Sequence, residues 1–156
     1  MKNRSPMDEK FGLWILLNQV RHAIYDAVER ELRQYGISPV EASVLSIVKT
    51  ADKNVTPTEI SRWLFRKPHS VCELLDRMEK KGLVTKVKDL PRKNLVRVAI
   101  TDKGEQAYSQ SLKVASIRRI VSSLNEEQHQ QMISCLNILR AVALKEIGKE
   151  DELPSA

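Results

Sequence analysis

The chain has 156 residues, of which 42% are hydrophobic and 29% charged, and its formal net charge is +6. This size and balance fit one globular domain with a real core and exclude a disordered or membrane-embedded chain. The longest apolar run, residues 13–17, is far too short to span a bilayer, and the opening MKNRSPMDEKFG lacks the apolar core of an export signal, so a cytoplasmic protein is expected.

In chain order, residues 8–35 carry Trp14, Leu17, Ile24, Val28 and Leu32 at helical spacing, and Gly36 closes this first helix. Ser38, Pro39 and Glu41 make a capping box with proline at the first helical position. They start a second helix that carries Val44, Leu45 and Val48 and ends near Ala51. Thr56, Pro57 and Glu59 repeat the device for a short third helix over 57–64, with Val55 placed to staple onto Ile60. The tight connection Phe65-Arg66-Lys67 leads to Pro68 and a fourth helix that runs to Lys81, closed by Gly82. Two strands follow, 83–89 and 95–101, around a polar tip. In the second, Val96, Val98 and Ile100 alternate with Leu95, Arg97 and Ala99, the period of a half-covered strand. Thr101 caps a long fifth helix over 102–122. Asn125 with Gln128 caps a sixth, which carries Met132, Leu136, Leu139, Ala143 and Ile147, and the acidic tail KEDELPSA is expected to fray.

A helix, a short helix, a tight turn, another helix and a basic hairpin form the order of a winged helix-turn-helix. The fold class expected is therefore mainly α with a small β-hairpin wing and about six helices. The whole chain, 1–156, reads as a single regulator domain, with a lobe over 38–101, the helix-turn-helix at about 56–81 and the wing at 83–101. Charge supports the reading. Residues 62–103 hold 12 of the 26 Lys and Arg and 5 of the 20 Asp and Glu, a local balance of +7, against 14 and 15 elsewhere. A basic patch on a near-neutral body is the footprint of a polyanion binder.

In the fourth helix Val71, Leu74, Leu75 and Met78 form one stripe that must face the core. The opposite face carries His69, Glu73, Asp76, Arg77 and Lys80, with Ser70 on its flank. Recognition helices read base edges from their N-terminal residues, so His69, Ser70 and Glu73 are the candidate base readers and Arg77 a phosphate or guanine contact. Pro68 at the first helical position makes Lys67 the capping residue, and lysine has no side-chain acceptor. The first-turn N–H groups are left for a phosphate, with Arg66 and Lys67 adding charge. At the hairpin tip Arg92, Lys93 and Asn94, with Arg97 on the strand, are the candidate contacts to a flanking groove. Arg92 is chosen for the minor groove because it sits at the apex.

Other chemistries find little purchase. His22, His69 and His129 have no partners at ligand spacing, so no metal or other cofactor is expected. No Gly-rich phosphate loop, nucleophile elbow or close carboxylate pair points to an enzyme. Cys72 and Cys135 lie on separate helices and read as reduced, buried thiols.

The stretch TPTEISRWLFRKPHSVCELLDRMEKKGLVTKVKD, followed by VRVAITDKGEQAY, resembles the MarR family of bacterial transcriptional regulators. LLDRMEKKGLV and ITDKG carry the resemblance most specifically. It implies a homodimer joined through the N- and C-terminal helices, 8–35 and 102–148. Such a dimer binds a pseudo-palindromic operator in double-stranded DNA, usually as a repressor. It also implies, for many members, release by a small aromatic or phenolic anion held between the dimerisation helices and the DNA-binding lobe; others sense oxidants through cysteine. Trp14, Arg21, His22, Tyr25 and Trp63 could line such a pocket, although the ordinary expectation puts the tryptophans in the core. The wing departs from the family pattern: Asp89 stands three residues before Arg92, and counting back from Thr101 brings Asn94 to the usual arginine position. The competing reading is a winged helix that binds a protein partner rather than DNA.

Overall fold

The computed structural model describes residues 6–51, 55–88 and 95–149. Among them, α1 (Pro6–Leu32) passes through a 3-10 turn (Arg33–Tyr35) to α2 (Pro39–Thr50), α3 (Pro57–Trp63) and α4 (Pro68–Lys80). The antiparallel hairpin β1 (Val84–Val87) and β2 (Arg97–Ile100) follows, then α5 (Asp102–Ser111), α6 (Ala115–Val121) and α7 (Glu126–Glu146).

Local chemistry explains the element starts. Both expected capping boxes form: Ser38 accepts from the Glu41 N–H while Glu41 accepts from the Ser38 N–H, and Thr56 and Glu59 do the same. Val55 and Ile60 are buried together at the entrance to α3. Asn125 and Gln128 box the start of α7, and Thr101 accepts from the Gly104 N–H to begin α5.

The core gathers the end of α1, α2, the buried sides of α3 and α4, and the base of the hairpin. Val71, Leu74, Leu75 and Met78 are at most 2% exposed, so the stripe of α4 is wholly consumed by this core. Glu41 does a second job there. Its almost covered carboxylate also receives the Lys81 ammonium, at 2.8 and 2.9 Å, and Lys81 donates again to the Gly36 carbonyl at 3.2 Å. The C-terminal end of α4 is thus tied to the N-terminal end of α2.

Two expectations need correction. The run 102–122 is two helices, not one, broken at residues 112–114. Val114 is buried against the core with a non-helical backbone, and α6 starts afresh and packs on α1. Cys72 and Cys135 are exposed rather than buried. Cys72 follows Val71 by one residue, which turns it off the buried stripe, and α7 is exposed along nearly its whole length in the single chain. No helix among the described residues is long and apolar enough to cross a membrane.

Gly82 takes a φ of 73°, the left-handed turn that lets β1 fold back from α4. Gly104 is constrained by space instead. A Cβ there would lie 2.0 Å from the Leu83 carbonyl oxygen, which is backbone and cannot rotate away. Gly104→Ala is expected to lower the unfolding free energy by about 2–3 kcal/mol, the upper range for overpacking. Denaturant unfolding checks this, and an unchanged midpoint would show that α5 can slide off the hairpin base freely.

Candidate nucleic-acid interface and an apolar cleft

With one side of α4 consumed by the core, the other is left outward. Arg66, Lys67, His69, Ser70, Glu73 and Arg77 are all exposed. His69 Nε2 stands 3.3 Å from Glu73 Oε1, so two of the candidate readers engage each other; an exposed pair of this kind opens at little cost. At the start of the helix Pro68 occupies the first position, and no side chain caps the first turn. The N–H dipoles and the charges of Arg66 and Lys67 therefore point the same way, toward solvent. The preceding turn holds Phe65 at a φ of 50°, a left-handed conformation that costs a bulky residue about 1–2 kcal/mol. Arg97 lies on β2 opposite Val87 and is partly buried. Arg92, Lys93 and Asn94 lie outside the described residues.

A second feature lies behind this face. A largely apolar cleft of about 500 Å³ runs between α1, α2 and the α5–α6 break, lined by Ile24, Val28, Leu32, Ala42, Val114 and Ile117 with Ser43, Ser46 and Ser111. Of the five pocket candidates, Arg21 and Tyr25 border it; Trp14, His22 and Trp63 do not. The rise of a helix explains Trp14, which sits seven residues, about 10.5 Å, further along α1 than Arg21. Nor are the tryptophans core, since Trp14 is 58% and Trp63 46% exposed. His22 is turned off the stripe and meets Arg21 Nη2 at 3.3 Å. The serines and the short apolar residues of α2 were missed because nothing in their spacing marks them out from a buried helix face. Among the described residues no group of three or more His, Cys, Asp or Glu is placed to hold a metal ion.

A MarR family model matches residues 35–96, from the end of the 3-10 turn to the start of the second strand. The transcriptional repressor MdtR of Bacillus subtilis is 24% identical over 126 residues, covering 80% of this chain and 78% of MdtR. Among solved structures, the organohalide-sensing regulator RdhR in its 2,4-dichlorophenol-bound form superposes with a TM-score of 0.80. It is 28% identical over 92% of this chain and 88% of that one. The Staphylococcus aureus MepR–DNA complex gives a TM-score of 0.75 at 21% identity, over 82% of this chain and 96% of that one.

Over residues 35–96 the chain matches the MarR family of winged-helix proteins, and its fold is shared with that of RdhR.

In this chain the seam between α1 and α6 is held by one carboxylate. Glu31 of α1 accepts from the N–H of Ala115 at 2.6 Å and of Ser116 at 2.9 Å, capping α6 from 84 residues away. Those two backbone donors hold the Glu31 carboxyl below its usual range. A carboxyl whose folded pKa is depressed contributes stability that is present above its unfolded value of about 4.3 and lost as pH falls through the folded value. The protection of the Ala115 and Ser116 amides against exchange, relative to their intrinsic rates, is therefore expected to fall on acidification below about pH 4.3 in the parent. In Glu31→Gln that protection should already be low at neutral pH and respond less to acid. Equal protection in the two proteins would remove Glu31 as the cap.

Proposed function

We propose that this chain is a dimeric, sequence-specific DNA-binding transcriptional regulator, acting as a repressor that a small ligand releases. One observation carries the reading. The apolar stripe of α4 is fully buried, which leaves the uncapped N-terminal half of that helix facing outward behind the basic pair Arg66 and Lys67. Such a face satisfies phosphate, and its side chains reach base edges. MdtR is named a transcriptional repressor, and the MepR structure contains DNA, which supports the same use of the shared fold here.

In this reading His69, Ser70 and Glu73 read bases, Arg66, Lys67 and Arg77 hold phosphates, and Arg92 enters the minor groove beside Lys93, Asn94 and Arg97. The lobe 38–101 reads DNA, while 8–35 and 102–148 join two chains, setting the recognition helices about 34 Å apart, one turn of duplex. The chain works in the cytoplasm and catalyses no reaction. RdhR was solved with 2,4-dichlorophenol bound. The cleft bordered by Arg21 and Tyr25 suits an aromatic or phenolic anion, with apolar walls for the ring and a guanidinium for the charge.

A second reading has its own support. Trp63 and Phe65 expose aromatic surface beside the basic turn, and exposed aromatics favour a protein partner. Salt separates the two. Binding to a duplex should weaken linearly in log–log form with a slope near −0.9 per phosphate contact, so several contacts give a steep line. A nearly flat line favours protein docking.

Two further outcomes are expected. Glu73→Ala should shift base preference by about 1–3 kcal/mol at one operator position while affinity for random duplex barely falls; an unchanged motif after selection from a random library removes Glu73 as a reader. α7 exposes Met132, Ile133, Leu136, Leu139 and Val142 in the single chain, more apolar surface than a monomer keeps in water. Sedimentation at micromolar concentration should therefore give two chains per particle and Leu136→Glu one. A monomeric parent would leave the palindromic mode without a basis.

A further inference from the structure

β1 leaves α4 through the turn at 81–83 and runs back beside it, and one strand residue receives two carboxylates of the helix. Asp76 accepts from the Lys86 ammonium, and Glu79 Oε1 accepts from the Lys86 main-chain N–H at 2.9 Å. Lys86 faces Val98 across the hairpin, and the Val98 N–H donates to the Val55 carbonyl at 2.8 Å, just ahead of α3. Where an antiparallel pair exchanges no ladder bonds, its N–H groups point outward. At this pair both outward groups are occupied, one by α4 and the other by the segment that leads into α3. The base of the wing is thereby tied, at a single register, to both helices of the helix-turn-helix.

The acids concerned are otherwise hard to explain. Asp76 is 56% exposed on the helix proposed to meet DNA, and a carboxylate near phosphates opposes binding. As an exposed pair it contributes little to global stability. What it does supply is geometry. Asp76 and Glu79 are three residues apart, about 4.5 Å along the helix axis, so two anchors rather than one define the direction of β1 against α4. The Lys86 side chain lies largely covered along this line, at 27% exposure. The hydrogen bond from Lys86, followed by its charge, holds the Asp76 carboxyl below the usual carboxylate range.

We propose that Asp76 and Glu79 are positioning residues for duplex binding: through Lys86 they set the angle of the wing to the recognition helix, so that helix and hairpin meet adjacent grooves as one body. The proposal rests on the DNA-binding reading above. A wing fixed in advance loses less freedom on binding than one that must be ordered there.

The sign of one affinity change decides. Removing two carboxylates near a polyanion, and releasing Lys86, should tighten every duplex if charge alone acts. The clamp predicts the opposite for the cognate site. The parent first selects its operator from a random duplex library; failure to select any sequence sinks the DNA-binding reading itself, and the proposal with it. Asp76→Ala/Glu79→Ala is then compared with the parent on that operator and on random duplex, with amide exchange at Lys86 read without DNA. Alanine favours the helix, so the fold should persist, and an unchanged thermal midpoint verifies it. We expect exchange at Lys86 to accelerate and operator affinity to fall about tenfold, with random-duplex affinity unchanged or raised. Asp76→Glu, which keeps an acceptor for Lys86, should stay close to the parent. Operator affinity equal to or tighter than the parent's, or Lys86 exchange unaltered in the double variant, overturns the clamp while leaving DNA binding in place.

Discussion

The burial of four side chains on α4 governs what the rest of this chain can do. Val71, Leu74, Leu75 and Met78 lie inside the core with essentially no residual exposure. Fully burying an aliphatic side chain stabilises by about 1.5–3 kcal/mol, so the helix has one seating and no reason to roll. A period of 3.6 residues then obliges the polar residues between them to face solvent together. The C-terminal end is held by Lys81 on Glu41, and the N-terminal end, without a side-chain cap, projects. Rigid seating combined with a projecting dipole gives the proposed reading of DNA by this helix its physical basis.

Glu41 shows how local and tertiary structure are joined in this fold. Its carboxylate completes the capping box of α2 and at the same time receives the ammonium at the end of α4. The same economy recurs at the hairpin base, where Thr101 caps α5 and donates its hydroxyl to the Gly82 carbonyl at 2.5 Å. Helix ends in this lobe are closed by groups that also join one element to the next. A change at one of them is felt in two elements.

Capping boxes and the stripe of α4 were legible in the sequence because both are signals within four residues: Ser38 to Glu41, Thr56 to Glu59, Asn125 to Gln128, Val71 to Leu75. The hairpin was legible from alternation in 95–100, with strands shorter than expected at both ends. The break at 112–114 was not legible. Its N-cap residue is Val114, a poor cap by any local rule, and the acceptor that replaces it is Glu31, far back in the chain. Trp14 and Trp63 misled for the reverse reason. Their size argues for burial, but α1 outruns the lobe at Trp14, and α3 ends at Trp63 beside an open turn. For the site, the outward residues of α4 followed from periodicity, whereas the Lys86 contacts depend on how tightly β1 folds back.

The apolar cleft lies along the seam that Glu31 holds, and Leu32 and Val114 line the cleft while belonging to the core. The outward face of α4 and the cleft are therefore built on one continuous set of packed side chains. The central claim, that the outward face of α4 engages duplex DNA, is tested most directly by mapping backbone amide shifts as a duplex carrying the selected operator is titrated in. The account predicts the largest changes at residues 66–77 and on the hairpin, with those on α7 small. Changes concentrated on α7, or none at the start of α4 under saturating duplex, would contradict it.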